Sequence, residues 1–149
     1  QPAKPKLLAA LTPICQALSL KTAEATPWGP DRPGPGWGDQ SAPHKMPLRC
    51  PAKEIVVGIH GKAGDLVDSL GLICAKPGKT QWPQRDVADG ALPRPSWTVS
   101  ATTATLGGPG GVPFVLRCPP GTAVWSWRGK GAALIDQVGV ACGPYRPAP

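Results

Sequence analysis

Four of the five cysteines in this 149-residue chain fall into two pairs with equal spacing. The same number of residues separates Cys50 from Cys74 as separates Cys118 from Cys142. Zinc sites usually place two cysteines within a few residues of each other, and no cysteines here are that close. The spacing therefore indicates disulfide formation in an oxidising compartment. We expect the bonds Cys50–Cys74 and Cys118–Cys142, and the alternative is pairing between the two segments, such as Cys50 with Cys142.

The carboxylates Asp65 and Asp68 lie three residues apart in a glycine-containing segment. Such closeness on one turn does not resemble two carboxylates that flank a scissile bond across a cleft. The chain also lacks the common hydrolase and phosphate-loop motifs and has only two histidines. We therefore expect no enzymatic activity and no cofactor. A fixed carboxylate beside glycine backbone suits hydrogen bonding to adjacent hydroxyl groups, because glycine allows close approach.

A segment that contains these carboxylates occurs twice. Residues 48–74 (LRCPAKEIVVGIHGKAGDLVDSLGLIC) and 116–142 (LRCPPGTAVWSWRGKGAALIDQVGVAC) align without a gap, with 11 of 27 positions identical. A fixed period indicates one supersecondary unit used more than once. Asp68 and Asp136 recur at the same place, so the aspartate could instead cap a strand by bonding backbone N–H groups. His60 aligns with Arg128, which favours an exposed loop side chain over a ligand.

The elements that must position these residues are short strands. The 21 prolines and 19 glycines separate apolar, β-branched segments, which predicts an all-β sandwich, barrel or prism. Within the repeats we expect a turn over residues 60–65 and strands near 54–59, 66–73, 122–127 and 134–141. Trp125 and Trp127 are two apart on a strand, which predicts that both lie on one face and pack in the core.

Residues 1–25 differ from the remainder, residues 26–149, which we expect to form the β domain. Apolar residues recur at helical spacing at Leu7, Leu11, Ile14 and Leu18. Thr12 can cap a helix and Pro13 suits its first position, so we expect a short helical arm that packs on the body or on a neighbouring subunit. Cys15 is the unpaired cysteine, and it is either a buried free thiol or an intermolecular bridge.

The net charge of +7 restricts the partners. The basic residues are scattered, which favours a role in solubility over nucleic-acid binding, since nucleic-acid binders cluster their cations on one face. An anionic polysaccharide remains a possible partner. No apolar run approaches the roughly 20 residues needed to span a bilayer. Together with the cysteines, these features predict a secreted, extracellular or periplasmic protein.

The segment GIHGKAGDLVDSLGL, residues 58–72, resembles the jacalin-related lectins, whose last Greek key carries a similar G-F-H-G-R-S-G pattern followed by L-D-A-I-G. GGPGGVPF, residues 107–114, resembles the glycine-rich turn and strand that open such a key. The resemblance covers roughly half of the chain. It implies a β-prism of three four-stranded Greek keys and sugar binding without a metal. The spacing between the two copies does not match that of three equal keys, so a two-unit relative of the prism is the alternative fold.

The resemblance also implies a binding site. Residues 64–68 match the family's G-x-x-x-D loop, so Asp68 would accept hydrogen bonds from two sugar hydroxyls. The backbone N–H groups of Asp65 and Leu66 would donate to sugar oxygens. A second loop would complete the site, with the candidate residues Gly107, Gly108, Gly110 and Gly111. In the second copy Ala132 replaces Gly64 and breaks the motif, which argues against a second sugar site.

The function that follows is metal-independent carbohydrate binding by a secreted lectin-like domain, with a neutral or anionic glycan as partner. The alternative is a structural subunit of an extracellular assembly, which the odd Cys15 and the apolar arm favour through homo-oligomer contacts. A general polyanion binder is a third reading, and it predicts an affinity that falls steeply with salt.

Overall fold

The computed structural model describes residues 8–15, 18–19, 26–27, 32–34, 36–41, 47–77, 97–119 and 122–144. These residues form strands and turns, and none of them lies in a helix. The all-β prediction is therefore confirmed. Six two-residue strands come first: β1 (Ala10–Leu11), β2 (Ile14–Cys15), β3 (Leu18–Ser19), β4 (Thr26–Pro27), β5 (Arg32–Pro33) and β6 (Trp37–Gly38). Seven others follow: β7 (Ile55–Ala63), β8 (Val67–Pro77), β9 (Trp97–Thr102), β10 (Leu106–Gly107), β11 (Val112–Arg117), β12 (Thr122–Gly131) and β13 (Ile135–Pro144).

The prediction of an N-terminal helical arm is wrong. β1, β2 and β3 pair antiparallel with β6, β5 and β4, so the described part of this region is an interrupted two-stranded ribbon. Leu8 and Leu11 pack against the apolar cluster of the main sheet. A helix this short is marginal by itself, and burial of its leucines in an extended chain outweighs the helical pattern. The backbone of Cys15 lies in β2, and its side chain lies outside the described part of the structure.

β7 to β11 form one antiparallel sheet in the order β10-β8-β7-β11, and β9 pairs with β8. β9 and β10 therefore lie one after the other along the outer edge of β8. The chain then returns to place β11 beside β7. This is the Greek-key order, in which the fourth strand lies next to the first. The return uses only residues 108–111, so this connection must cross the end of the β7–β8 hairpin.

The β7–β8 and β12–β13 hairpins are built alike. Their strands pair in the same register, and each hairpin has one bulge near its disulfide and a second bulge beside its tip. The tips also close alike. Gly64 N–H donates to the Leu66 carbonyl (2.9 Å), and Ala132 N–H donates to the Leu134 carbonyl (3.1 Å). Two segments with 11 identical positions thus adopt one hairpin geometry.

Each disulfide joins the segment that precedes a hairpin to the second strand of the same hairpin. Cys50 bonds to Cys74 and Cys118 bonds to Cys142, each across a sequence separation of 24 residues. This confirms the pairing expected from equal spacing, and the alternative of Cys50 with Cys142 is wrong. Cys74 is fully buried, whereas Cys142 is exposed. The first bond therefore also contributes to the apolar core.

The core lies on the β7–β8 hairpin. One apolar cluster consists of Ile55, Val57, Ile73, Ala75 and Ala123. A second consists of Ile59, Leu70, Leu72 and Cys74. Partly buried Phe114, Trp127, Val138 and Val140 pack against the second cluster, so β11 and the β12–β13 hairpin cover this hairpin. Full burial of a side chain such as Ile59 stabilises the fold by roughly 1.5–3 kcal/mol.

The strands extend further than the sequence predicted. β7 continues through Ala63, so the expected turn over residues 60–65 is wrong and the tip lies at residues 64–66. Gly61 explains the extension, because a Cβ there would collide with the carbonyl of Ser69 on β8. The sheets are curled and antiparallel, in the manner of a half-barrel. The described strands complete one Greek key and one further hairpin, and the three-key prism stays a prediction.

Candidate functional site

Asp68 lies at the bulge beside the tip of the β7–β8 hairpin. Val67 pairs with Ala63 and Ser69 pairs with Lys62, which leaves Asp68 as the extra residue between two pairs. A bulge bends its strand and re-aims the side chain of the extra residue. Asp68 is half-buried there, in a position that regular strand alternation would not give it.

The connection from β10 to β11 passes directly over Asp68. We call residues 107–111 the glycine strap. Gly108 N–H donates to the Asp68 main-chain carbonyl (2.8 Å). A Cβ at Gly110 would lie 2.9 Å from Asp68 Oδ1, and one at Gly111 would collide with Oδ2. Gly107 and Gly111 have φ of +120° and +86°, which favours glycine. The sequence prediction that these glycines belong with Asp68 thus has a geometric counterpart.

Lys62, which lies in β7, forms a hydrogen bond with the glycine strap. Its Nζ donates to the Pro109 carbonyl (3.3 Å), and its backbone N–H donates to Ser69 Oγ (3.1 Å) across the bulge. The sequence analysis did not propose Lys62. The sequence did contain a signal for this residue, because Lys62 aligns with another lysine, Lys130, in the second copy.

The Asp68 carboxylate accepts no hydrogen bond from the part of the chain that the structure describes. The strap bonds the main-chain oxygen of Asp68, so its backbone N–H groups do not cap the side chain. Half-buried polar atoms normally have a partner, either protein or solvent. The two carboxylate oxygens are therefore acceptors that a bound molecule can use.

The hairpin tip beside Asp68 is open to solvent. Gly64 and Asp65 are exposed and Leu66 is half-buried. Gly64 N–H closes the turn, while the N–H groups of Asp65 and Leu66 bond no acceptor within the described ranges. A Cβ at Gly64 would meet nothing within 4 Å. The site can thus combine an anionic acceptor with two unused backbone donors, which is the set of groups expected from the sequence.

Asp136 occupies the equivalent bulge of the β12–β13 hairpin in different surroundings. It is exposed, and it borders an open groove of about 640 Å³ between β11 and this hairpin. The glycine strap contacts Asp68 and not this tip. The sequence argued against a second site because Ala132 and Ala133 replace Gly64 and Asp65 in the second copy. The structure adds a second reason, since one strap serves only the first copy.

His60 has a structural position. Its ring lies over Gly71, and its Nε2 is 3.1 Å from the Thr103 carbonyl. The expectation of an exposed loop side chain is wrong, because His60 is half-buried in β7. Thr103 Oγ1 also accepts from Leu72 N–H (2.9 Å). These bonds fix the start of the connection between β9 and β10, which leads to the strap.

The two tryptophans of β12 have separate environments. Trp127 packs against the core cluster, as expected. Trp125 is the extra residue of the bulge near the disulfide, and its ring lies over Gly143 with 59% of its surface exposed. Both rings were expected to pack in the core, and the bulge explains why Trp125 does not. Trp125 lies at the disulfide end of its hairpin, away from the tip.

The described residues contain no group of three His, Cys, Asp or Glu side chains that could hold a metal ion. None of them belongs to a helix able to cross a membrane.

No protein-family model matches the sequence, and no curated protein is similar enough to count as a relative.

Proposed function

We propose that the chain is a metal-independent carbohydrate-binding domain whose site is Asp68 with the tip of the β7–β8 hairpin and the glycine strap. One observation carries this proposal. A half-buried carboxylate lies against glycine backbone, and no described group donates a hydrogen bond to it. The site lies beside an exposed tip, so a ligand can reach it.

Sugars match these groups for a chemical reason. Adjacent hydroxyls on a pyranose ring supply two donors at a separation that the two oxygens of one carboxylate can accept. The unused N–H groups of Asp65 and Leu66 suit ring and hydroxyl oxygens. Glycines in the strap let its backbone lie against the carboxylate, where a Cβ at Gly111 would collide with Oδ2. The same roles follow from the resemblance to jacalin-related lectins.

The charge of the site favours a neutral sugar. Asp65 and Asp68 are both acidic, and a carboxylate on the ligand would repel them. The basic residues that give the net charge of +7 are distributed along the chain. Binding of anionic polysaccharide would depend on those residues and not on Asp68. The two disulfides are compatible with an oxidising location, and secretion or periplasmic export belongs to the proposal.

The direct test is a glycan array with the full chain, read in the presence and absence of a chelator. The proposal predicts binding to a defined group of neutral glycans, competition by the free sugar and no effect of the chelator. Folded protein that binds none of the glycans, or that binds only when a divalent cation is present, would refute it.

A structural role in an extracellular assembly is the second candidate. It is favoured by the exposed apolar residues of β11, namely Val112, Val115 and Leu116. In that case the lectin-like hairpins are a scaffold, since one fold can carry unrelated functions. The two candidates are not exclusive, although the two surfaces adjoin, since Val112 directly follows Gly111, which lies against the Asp68 carboxylate.

A further inference from the structure

β11 is an outer strand with an apolar surface. It pairs with β7 along one edge, and no described strand pairs with its other edge. Val112 is 71% exposed, Val115 59% and Leu116 43%. Natural proteins usually protect such an edge with charged residues or proline, because an unpaired edge can bind another strand. Here Pro113 and Arg117 are the protective residue types within β11.

The hydrogen-bond pattern shows which backbone groups this edge presents. Cys118 N–H donates to the Val57 carbonyl (2.8 Å), one step beyond the pair Arg117 with Gly58. In an antiparallel pair, bonded and non-bonded positions alternate. Arg117, Val115 and Pro113 therefore direct their backbone groups away from β7. The outer edge presents three carbonyls but only two N–H groups, because proline has none.

An open groove of about 640 Å³ borders β11. It is lined by Val112, Pro113, Phe114 and Leu116 of β11, by Ala63 and Val67 of the β7–β8 hairpin, and by residues 128–129 and 136–139 of the β12–β13 hairpin. Its lining thus includes residues from both faces of β11.

We propose that β11 pairs antiparallel with β11 of a second copy of this chain, about a two-fold axis at Val115. The two Val115 residues exchange two N–H to carbonyl bonds. Arg117 N–H of each copy donates to the Pro113 carbonyl of the other. The pairing holds whether or not Asp68 binds sugar.

The self-complementarity of the edge is the reason to choose a second copy over another strand. The two-fold places Pro113 opposite Arg117, so the missing proline N–H leaves only the Arg117 carbonyl without a partner. It also keeps the two Arg117 side chains from facing each other directly, and like charges opposite one another destabilise paired strands. Val115 meets Val115, which covers two of the most exposed apolar side chains on the surface.

Because of the net charge, the stability of this dimer should depend on salt concentration. Two copies that each carry +7 repel one another, and salt screens that repulsion. Self-association should therefore strengthen as salt concentration rises. Binding of an acidic partner to the same edge would instead weaken as the salt concentration rises.

Sedimentation equilibrium of the full chain over a wide concentration range tests the proposal. Wild type should shift toward twice the 15.4 kDa of one chain. Val115→Lys should remove the dimer, because it places two cations at the two-fold. Val99→Lys is the control, since Val99 is also exposed on a strand of the same sheet and should leave the dimer intact. A monomeric wild type, or equal loss in both variants, would overturn the proposal.

Amide hydrogen exchange keeps the test valid if Val115→Lys fails to fold. In wild type, the amides of Val115 and Arg117 should exchange more slowly as protein concentration rises. The Leu116 amide already faces β7, so its exchange should respond less. Protection of Val115 and Arg117 that is independent of concentration would mean that another part of the same chain covers the edge, and the proposal would be wrong.

Discussion

At the scale of single residues, Asp68 and Asp136 form a natural comparison. Both are the extra residue of a bulge beside a hairpin tip, with the same pairing on either side. Asp68 is half-buried under the glycine strap, whereas Asp136 is exposed at the border of the groove. We propose that Asp68 and not Asp136 binds the ligand because the surroundings of the two carboxylates differ, although their residue type is the same.

The strap glycines give a prediction about stability. Gly111→Ala should reduce the free energy of unfolding by roughly 1–3 kcal/mol, because alanine is strained at a φ of +86°. Its Cβ would also collide with the Asp68 carboxylate and lie 2.8 Å from the Ala63 nitrogen. Gly139→Ala is the control, since a Cβ there meets nothing within 4 Å. Urea unfolding of both variants measures the difference, and equal stability would contradict the strap geometry.

The motif resemblance predicted both the residues of this candidate site and that the loop with Gly107 and Gly108 lies beside Asp68. How the chain brings these residues together could not be predicted. Their contact depends on β10 pairing with β8 while β11 pairs with β7, which is a long-range arrangement. The bulge at Asp68 could not be predicted from the sequence either, because an extra residue in a strand has no distinct sequence signal.

At the scale of elements, the two hairpins share a register and a disulfide but differ in burial. Cys74 belongs to the apolar core, and Cys142 does not. Equal cysteine spacing favoured both bonds, since each joins the ends of one repeat, but it left pairing between the repeats open until the structure showed the bonds. The helical arm was mispredicted for the opposite reason. Its pattern was local, and the contacts of Leu8 and Leu11 with the main sheet decided its structure.

The disulfides give a prediction at this scale. Replacing Cys118 and Cys142 together with serine should cost about 3 kcal/mol of stability, because it releases a loop of moderate length in the unfolded chain. Replacing Cys50 and Cys74 together with alanine should cost at least about 1 kcal/mol more, since a buried side chain is also truncated. Urea unfolding without reductant compares the two double variants. A larger loss for the Cys118 and Cys142 pair would contradict the assignment of the core.

At the scale of the whole molecule, the described strands form curled antiparallel sheets with one complete Greek key. The repeat and the turn residues predicted the all-β class. They did not predict which copy would gain extra strands, because β9, β10 and most of β11 lie between the copies and pair only with the hairpin of the first copy. We therefore propose one sugar site for each chain, and the proposed pairing through β11 would give two such sites in a dimer.

The overall charge leads to a prediction about salt. Affinity for a neutral glycan should change by less than about twofold between low and high salt, because hydrogen bonds to a neutral ligand are little affected by screening. Affinity for an anionic polysaccharide should fall over the same range and should not depend on Asp68. Isothermal titration at several salt concentrations checks both statements. Steep salt dependence for the neutral glycan would favour a general polyanion binder.

The most direct measurement of the central claim compares Asp68→Asn with Asp136→Asn in a titration with the best glycan from the array. Both variants keep the shape of the side chain and differ only in which bulge loses its charge. The account predicts that Asp68→Asn weakens binding at least about tenfold, which corresponds to roughly 1.4 kcal/mol, while Asp136→Asn binds like wild type. Equal affinity of the two folded variants, or a greater loss in Asp136→Asn, would contradict the assignment of the site to Asp68 and the glycine strap.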